Sequence, residues 1–135
     1  MMSTYTGGCA CGKVRYEFQG PPKFSYICQC RDCQRATGSG HAPLMMFSSE
    51  DGTVAGQIDF FPVRSDSGNT ISRGFCPGCG SPILITGTIY PAGRFVYAAT
   101  LDEPDMFEPS RVIWNESACG WDAVDRSLPV HEKGT

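Results

Sequence analysis

The sequence predicts an all-β domain, and three observations carry that prediction. Apolar residues alternate with polar ones in short runs, the period-2 signature of half-buried strands. The chain's 16 glycines and 10 prolines punctuate those runs, at spacings of roughly eight to twelve residues. No long stretch carries the 3.6-residue periodicity of an amphipathic helix.

The elements follow in chain order. Val14, Tyr16 and Phe18 alternate with charged residues, which predicts a first strand over 13–18, broken by Gly20-Pro21-Pro22. A second alternation, Phe24, Tyr26 and Cys28, predicts a strand that ends at Cys28. Residues 31–36 are the one comfortable place for a helical turn, closed by Gly38-Ser39-Gly40. If Cys30 or Cys33 stands at the start of that turn, free N–H groups favour thiolate there. Further strands are expected over 42–47, 57–64, 69–75, 83–86, 94–100 and 111–114. Within them Met45-Met46-Phe47 reads as buried strand, and Trp114 and Trp121 as core anchors.

The totals fit one domain spanning 1–135, long enough to bury a single core. Hydrophobic content of 41% with 19% charged residues is ordinary for a folded chain. A formal net charge of -3 supplies no basic footprint, so no nucleic-acid partner is expected. No run approaches the ~18 apolar residues that span a bilayer, so no membrane association is expected. The first eight residues lack a basic region followed by an apolar run, so no signal peptide is expected. A reducing cytoplasm is the expected location, and there clustered cysteines read as metal ligands rather than disulfides.

The cysteines carry the chemistry. Seven of the eight fall into Cys9-Ala10-Cys11, Cys28-Gln29-Cys30-Arg31-Asp32-Cys33 and Cys76-Pro77-Gly78-Cys79, and Cys119 stands alone. Thiols this close make poor disulfides within a group, because a bridge needs Cα atoms several Å apart and a particular torsion. Zinc, with about four thiolates at about 2.3 Å, suits such spacing. Each flanking pair is followed by glycine, at Gly12 and Gly80. A glycine there permits the positive φ of a knuckle whose N–H groups face the thiolates. Cys9, Cys11, Cys76 and Cys79 together would close a tetrahedral, structural zinc site. Cys28, Cys30 and Cys33 leave one position open for substrate, unless His41 or Cys119 closes it. A third alternative has a single zinc, with the remaining thiols reduced and idle or redox-active.

These motifs resemble the glutathione-dependent formaldehyde-activating enzyme family, whose relatives include centromere protein V. Gly7-Gly8-Cys9-Ala10-Cys11-Gly12 is similar to the family's opening, and Arg73-Gly74-Phe75-Cys76-Pro77-Gly78-Cys79-Gly80 to its second knuckle. Thr100-Leu101-Asp102 with Pro104 and Pro109, then Trp121 and Leu128-Pro129, follow its closing pattern. The resemblance implies a β-rich, Mss4-like zinc-binding fold of complex β-sheets with short helical turns. It implies structural zinc at Cys9, Cys11, Cys76 and Cys79, and catalytic zinc at Cys28, Cys30 and Cys33. The implied reaction is that of a carbon–sulfur lyase, joining glutathione to formaldehyde as S-(hydroxymethyl)glutathione. A small-molecule thiol and an aldehyde are then the partners, with zinc as cofactor and glutathione as co-substrate.

Glutathione carries two carboxylates, which arginine recognises in bidentate fashion. Arg31 and Arg35 flank the triplet and are the first candidates for that role, ahead of Arg73 and Lys23. Each also reads as a solvated surface charge. Asp102 reads as a turn cap, His41 as a zinc ligand or proton shuttle, and His131 as a solvated tail residue. Cys119 reads as a buried, inert thiol. The rival function from another class is a non-catalytic zinc module that binds a protein partner through an exposed β surface.

Overall fold

The computed structural model describes residues 3–134. Ten strands form two sheets: β1 (Thr4–Gly8), β2 (Arg15–Gln19), β3 (Phe24–Cys28), β4 (Ala42–Ser48), β5 (Gly52–Ala55), β6 (Asp59–Arg64), β7 (Thr70–Phe75), β8 (Pro82–Gly87), β9 (Gly93–Tyr97) and β10 (Val112–Ile113). Among the described residues a single α-helix, α1 (Arg31–Thr37), follows β3. The small sheet has the order β1-β2-β5, and the large one β10-β3-β4-β9-β8-β7-β6. All pairings are antiparallel except that of β10 with β3. The predicted β-rich class holds.

Alternation explains how the layers assemble. In the small sheet Tyr16 and Phe18 point inward, with Val14 just before them, and all three are buried. They join Met45, Phe47, Leu84 and Val96 of the large sheet in one apolar cluster. At its centre the Phe18 and Phe47 rings stack with centroids 4.9 Å apart. Intervening residues of the same large-sheet strands, Leu44, Ile85 and Tyr97, turn to the opposite face and form a second cluster with Cys28 and Cys33. Strand β4 is thus buried on both sides, which is why residues 42–47 read as a near-continuous apolar run.

Several expectations shift. Strands β1 and β5 carry too little alternation to be seen in the sequence. The strand expected over 94–100 stops at Tyr97, where Ala98–Thr100 turn into a 3-10 helix and Thr100 Oγ1 donates to Tyr97 O at 2.7 Å. The strand expected over 111–114 is two residues long, because Trp114 adopts φ 61 and leaves the ladder. Trp121 is 74% exposed, so it anchors nothing, whereas Trp114 packs at the margin of the second cluster. Asp102 ties sheet to loop: Arg15 donates to both its carboxylate oxygens at 2.9 and 2.5 Å, and Thr6 Oγ1 donates at 2.9 Å. His131 pairs through its backbone with Val112 and Asn115 instead of standing free in solvent.

Candidate metal centres

The first centre joins two turns 65 residues apart in the chain. After β1 the backbone folds back so that Cys9 N donates to Val14 O at 3.1 Å and Gly12 N to Cys9 O at 3.2 Å. Between β7 and β8 the same device recurs, with Gly80 N donating to Cys76 O at 2.7 Å and Cys76 N to Ser81 O at 3.0 Å. Both closing glycines take the left-handed conformation the sequence anticipates, φ 82 at Gly12 and φ 78 at Gly80. Ser81 Oγ accepts from Ala10 N at 3.0 Å and so latches one turn onto the other.

The sulfurs of Cys9, Cys11, Cys76 and Cys79 all lie within 4.8 Å of one another. Cys9 and Cys11 sulfurs stand 3.5 Å apart, and those of Cys11 and Cys76 3.7 Å. Four thiolates held tetrahedrally around a zinc-sized ion stand about 3.8 Å apart, whereas a disulfide brings sulfurs to about 2.05 Å. The donor set therefore fits a metal and not a cross-link, and all eight cysteines are free thiols. Val14 N donates to Cys9 Sγ at 3.2 Å, as expected where N–H groups stabilise thiolate. The Ser81 hydroxyl and backbone hold the Cys79 thiol well below its ordinary range, at about 5.

The second centre is built on the β3–α1 junction. Cys28 ends β3, Cys30 caps the helix, and Cys33 falls in its first turn. Cys30 Sγ accepts from Cys33 N at 3.3 Å, the capping bond the sequence leaves conditional. The short helix closes at Gly38, φ 69. Buried Gln34 anchors it, donating from Nε2 to Gln29 O at 2.9 Å and to Ser117 O at 2.8 Å. The three sulfurs lie within 4.8 Å of one another and are buried or half-buried, again a set that could hold a metal ion. Contact with the Cys28 and Cys33 thiols holds Cys30 at about 2, while Cys30, Cys33 and burial push Cys28 strongly upward. Of the three, Cys30 is the thiol that its neighbours and the Cys33 N–H favour as thiolate.

Neither residue considered as a fourth ligand joins the trio. His41 Nδ1 instead meets Asp122 Oδ2 at 2.7 Å, and Cys119, half-buried, stands apart. Arg31 and Arg35 lie exposed on α1; Arg31 donates to its neighbour Gln34. The arginine brought to the sulfurs is Arg73 of β7, whose Nη2 donates to Cys33 Sγ at 3.8 Å. Beside it opens a cleft of about 270 Å³ that Tyr97 also lines. Arg73 and Tyr97 face the trio because their strands share one sheet face. That is a matter of register, and nothing local in the sequence announces it.

The profile of the family described as glutathione-dependent formaldehyde-activating enzyme matches residues 4–117, most of the chain and both centres. The chain belongs to that family. Among solved structures, a crystal structure of a Rhodobacter sphaeroides protein is similar to it, with a TM-score of 0.58 and 21% identity over 77% of this chain and 96% of that one. At that identity the likeness shows a shared fold. No curated protein matches at a significant level. Family membership agrees with the geometry: the residues matched carry seven clustered cysteines on two sheets, the arrangement the sequence resemblance implies.

Proposed function

We propose that the chain is a single two-zinc domain over 1–135, a carbon–sulfur lyase that adds glutathione or a related thiol to an aldehyde such as formaldehyde. The observation that carries this reading is the trio of Cys28, Cys30 and Cys33. Its sulfurs converge within 4.8 Å, and no fourth His, Cys, Asp or Glu donor joins them among the described residues. Three protein ligands with a vacant fourth position are the arrangement of catalytic zinc, and four are that of structural zinc. Cys9, Cys11, Cys76 and Cys79 supply the structural set.

Bound zinc would supply Lewis acidity, favouring thiolate over thiol in an incoming ligand. The chain's own residues supply the rest. Cys28 at the strand end and Cys30 and Cys33 at the helix start bring the three sulfurs together. Arg73 holds positive charge beside Cys33, and exposed Arg31 and Arg35 offer outer contacts to glutathione's carboxylates. In the reaction the sulfur lone pair forms the C–S bond, the carbonyl π pair moves to oxygen, and oxygen takes the proton the thiol has lost. Atoms balance with no further reactant.

The test is metal content followed by adduct formation. Wild type should carry two zinc ions per chain, and Cys30→Ser one, without unfolding. With glutathione and ¹³C-formaldehyde, NMR should show wild type accelerating adduct formation above the uncatalysed rate and Cys30→Ser losing that acceleration. Absence of acceleration, together with no thiol-induced change at the metal, overturns the enzyme. A second reading, a non-catalytic zinc module for a protein partner, draws on edge strand β6, where Phe60 and Phe61 are 46% and 65% exposed. One zinc, indifferent to substitution in the trio, would favour it.

A further inference from the structure

The large sheet carries a hollow of about 180 Å³ whose lining is mostly aromatic. Phe24 and Tyr26 of β3, Phe95 of β9 and Tyr90 of the β8–β9 loop supply four rings beside Arg111, and Ile113 and Gly134 complete it. Phe24, Tyr26 and Cys28 alternate onto one face of β3, so the hollow lies on the trio's side of the sheet. Tyr26 and Phe95 meet edge to face with centroids 6.5 Å apart, and both pack against the cluster that contains Cys28 and Cys33. Phe24 and Tyr90 are 44% and 53% exposed, and neither pairs with another ring among the described residues.

A concave place lined by rings that are open to solvent is suited to an apolar ligand. Its size limits that ligand, since an apolar cavity of about 150 Å³ holds one benzene ring. The charge follows from Arg111, whose guanidinium sits over the Phe24 ring, 5.3 Å from the centroid. A guanidinium held against a ring face keeps N–H donors for an anion. No Asp or Glu lines the hollow, and the two ion pairs among the described residues, Arg15–Asp102 and His41–Asp122, leave Arg111 out. Glu108 shares a neighbouring groove with Arg111 and Lys23 yet forms an ion pair with neither. Two cations against one carboxylate leave this corner of the molecule positive.

We infer that the hollow binds a single planar aromatic ring carrying an acidic group, an aromatic carboxylate in its simplest form. The ring packs among Phe24, Tyr26, Tyr90 and Phe95, and the carboxylate accepts from Arg111. Aliphatic acids lack the ring contacts, and neutral rings lack the charge. The inference goes beyond the thiol reading and does not depend on it, since no cysteine lines the hollow.

The experiment titrates the full chain, as purified, into para-fluorobenzoate and follows the ligand's fluorine NMR signal. Para-fluorobenzyl alcohol supplies a neutral ring of similar size, and cyclohexanecarboxylate a saturated acid. Wild type should bind para-fluorobenzoate saturably, and about fivefold more tightly than the alcohol, as a charge-assisted contact to half-buried Arg111 requires. Unlabelled benzoate should displace it, and cyclohexanecarboxylate should do so only at roughly threefold higher concentration, the scale of lost ring-to-ring contacts. Arg111→Gln should bring acid and alcohol to near parity while leaving alcohol affinity unchanged. Arg111 meets β3 through its backbone, Ile27 N donating to its carbonyl at 3.0 Å, so that pairing survives the substitution. Tyr90→Leu, at an exposed loop position, should weaken both fluorinated rings about threefold and keep the preference for the acid; it decides the matter should Arg111→Gln fail to fold. Equal binding of acid and alcohol by wild type overturns the proposal, and so does equal displacement by the aromatic and the saturated acid. Binding that neither substitution alters lies elsewhere, the three-cysteine centre included, and overturns it as well. Absence of saturable binding overturns it outright. None of these outcomes bears on the thiol reading, whose test is separate.

Discussion

Alanine at Gly80 should destabilise the protein for a conformational reason alone. Gly80 sits at φ 78, and a Cβ built on it meets nothing within 4 Å. Steric crowding between residues therefore contributes nothing, and the whole cost is that of forcing an L side chain into the left-handed region. That cost is about 1–2 kcal/mol. Against a total stability of about 5–15 kcal/mol it is readily measured, and for a chain this size it lowers Tm by roughly 3–10 °C. Gly78, two residues earlier in the same turn, is the control. Its φ lies outside the left-handed region, and an added Cβ meets the Cys76 and Cys11 sulfurs at an ordinary 3.7 and 3.8 Å. Gly78→Ala should stay within about 0.5 kcal/mol of wild type. Gly80→Asn should fall between wild type and Gly80→Ala, because asparagine tolerates this region. Urea titrations at fixed metal concentration give the comparison, with an unchanged m-value confirming that only stability moved. Equal costs at Gly78 and Gly80, or none at Gly80, would refute the assignment of glycine at this knuckle to backbone conformation.

Three further predictions concern the body of the fold. Arg15 and then Thr6 hold the Asp102 carboxyl at about 2, so its contribution to stability is complete above the ordinary carboxylate value of about 3.9 and disappears as pH falls through about 2. Thermal melts of Asp102→Asn should therefore lie slightly below wild type near neutrality, with the gap small and salt-sensitive at this exposed pair, and should merge with wild type in strong acid. Phe18→Ala removes a ring that is 1% exposed and stacked on Phe47, at a cost of about 3–5 kcal/mol by chemical denaturation; Trp121→Ala, at 74% exposure, should cost almost nothing, and a large loss there would mean that Trp121 is covered in solution.

What could be read from the chain was what short stretches decide for themselves. Arg31–Thr37 becomes a helix between a Cys30 cap and a Gly38 stop, all within nine residues of sequence. Each knuckle carries its own closing glycine. Strand β1 was illegible for the opposite reason. Gly7 and Gly8 look like strand breakers, yet a Cβ on Gly7 would lie 2.3 Å from Thr100 O and one on Gly8 2.0 Å from Val14 O. They are glycines because other backbone passes close by, which no local pattern reveals. Trp121 misled because bulk and apolarity argue for burial, while its turn after Cys119 projects it into solvent. The trio's surroundings were hidden for a topological reason. Arg73 and Tyr97 are 24 positions apart on β7 and β9, and only the intervening β8 turns both toward Cys33.

That same topology makes the two cysteine centres parts of one arrangement. Strand β7 presents Arg73 to the Cys33 side of the large sheet, then runs directly into Cys76 of the first centre. The return turn passes through Cys79 and supplies Gly80 and Pro82 to the cleft wall. Three positions separate the arginine that touches one set of sulfurs from the cysteine that belongs to the other. A four-sulfur set that fixes both ends of this turn also fixes the strand carrying Arg73 and the part of the cleft that Gly80 and Pro82 line. The trio gains from this a rigid neighbour that it could not build from its own six residues, since β3 and α1 supply the sulfurs but no positive charge of their own in contact with them.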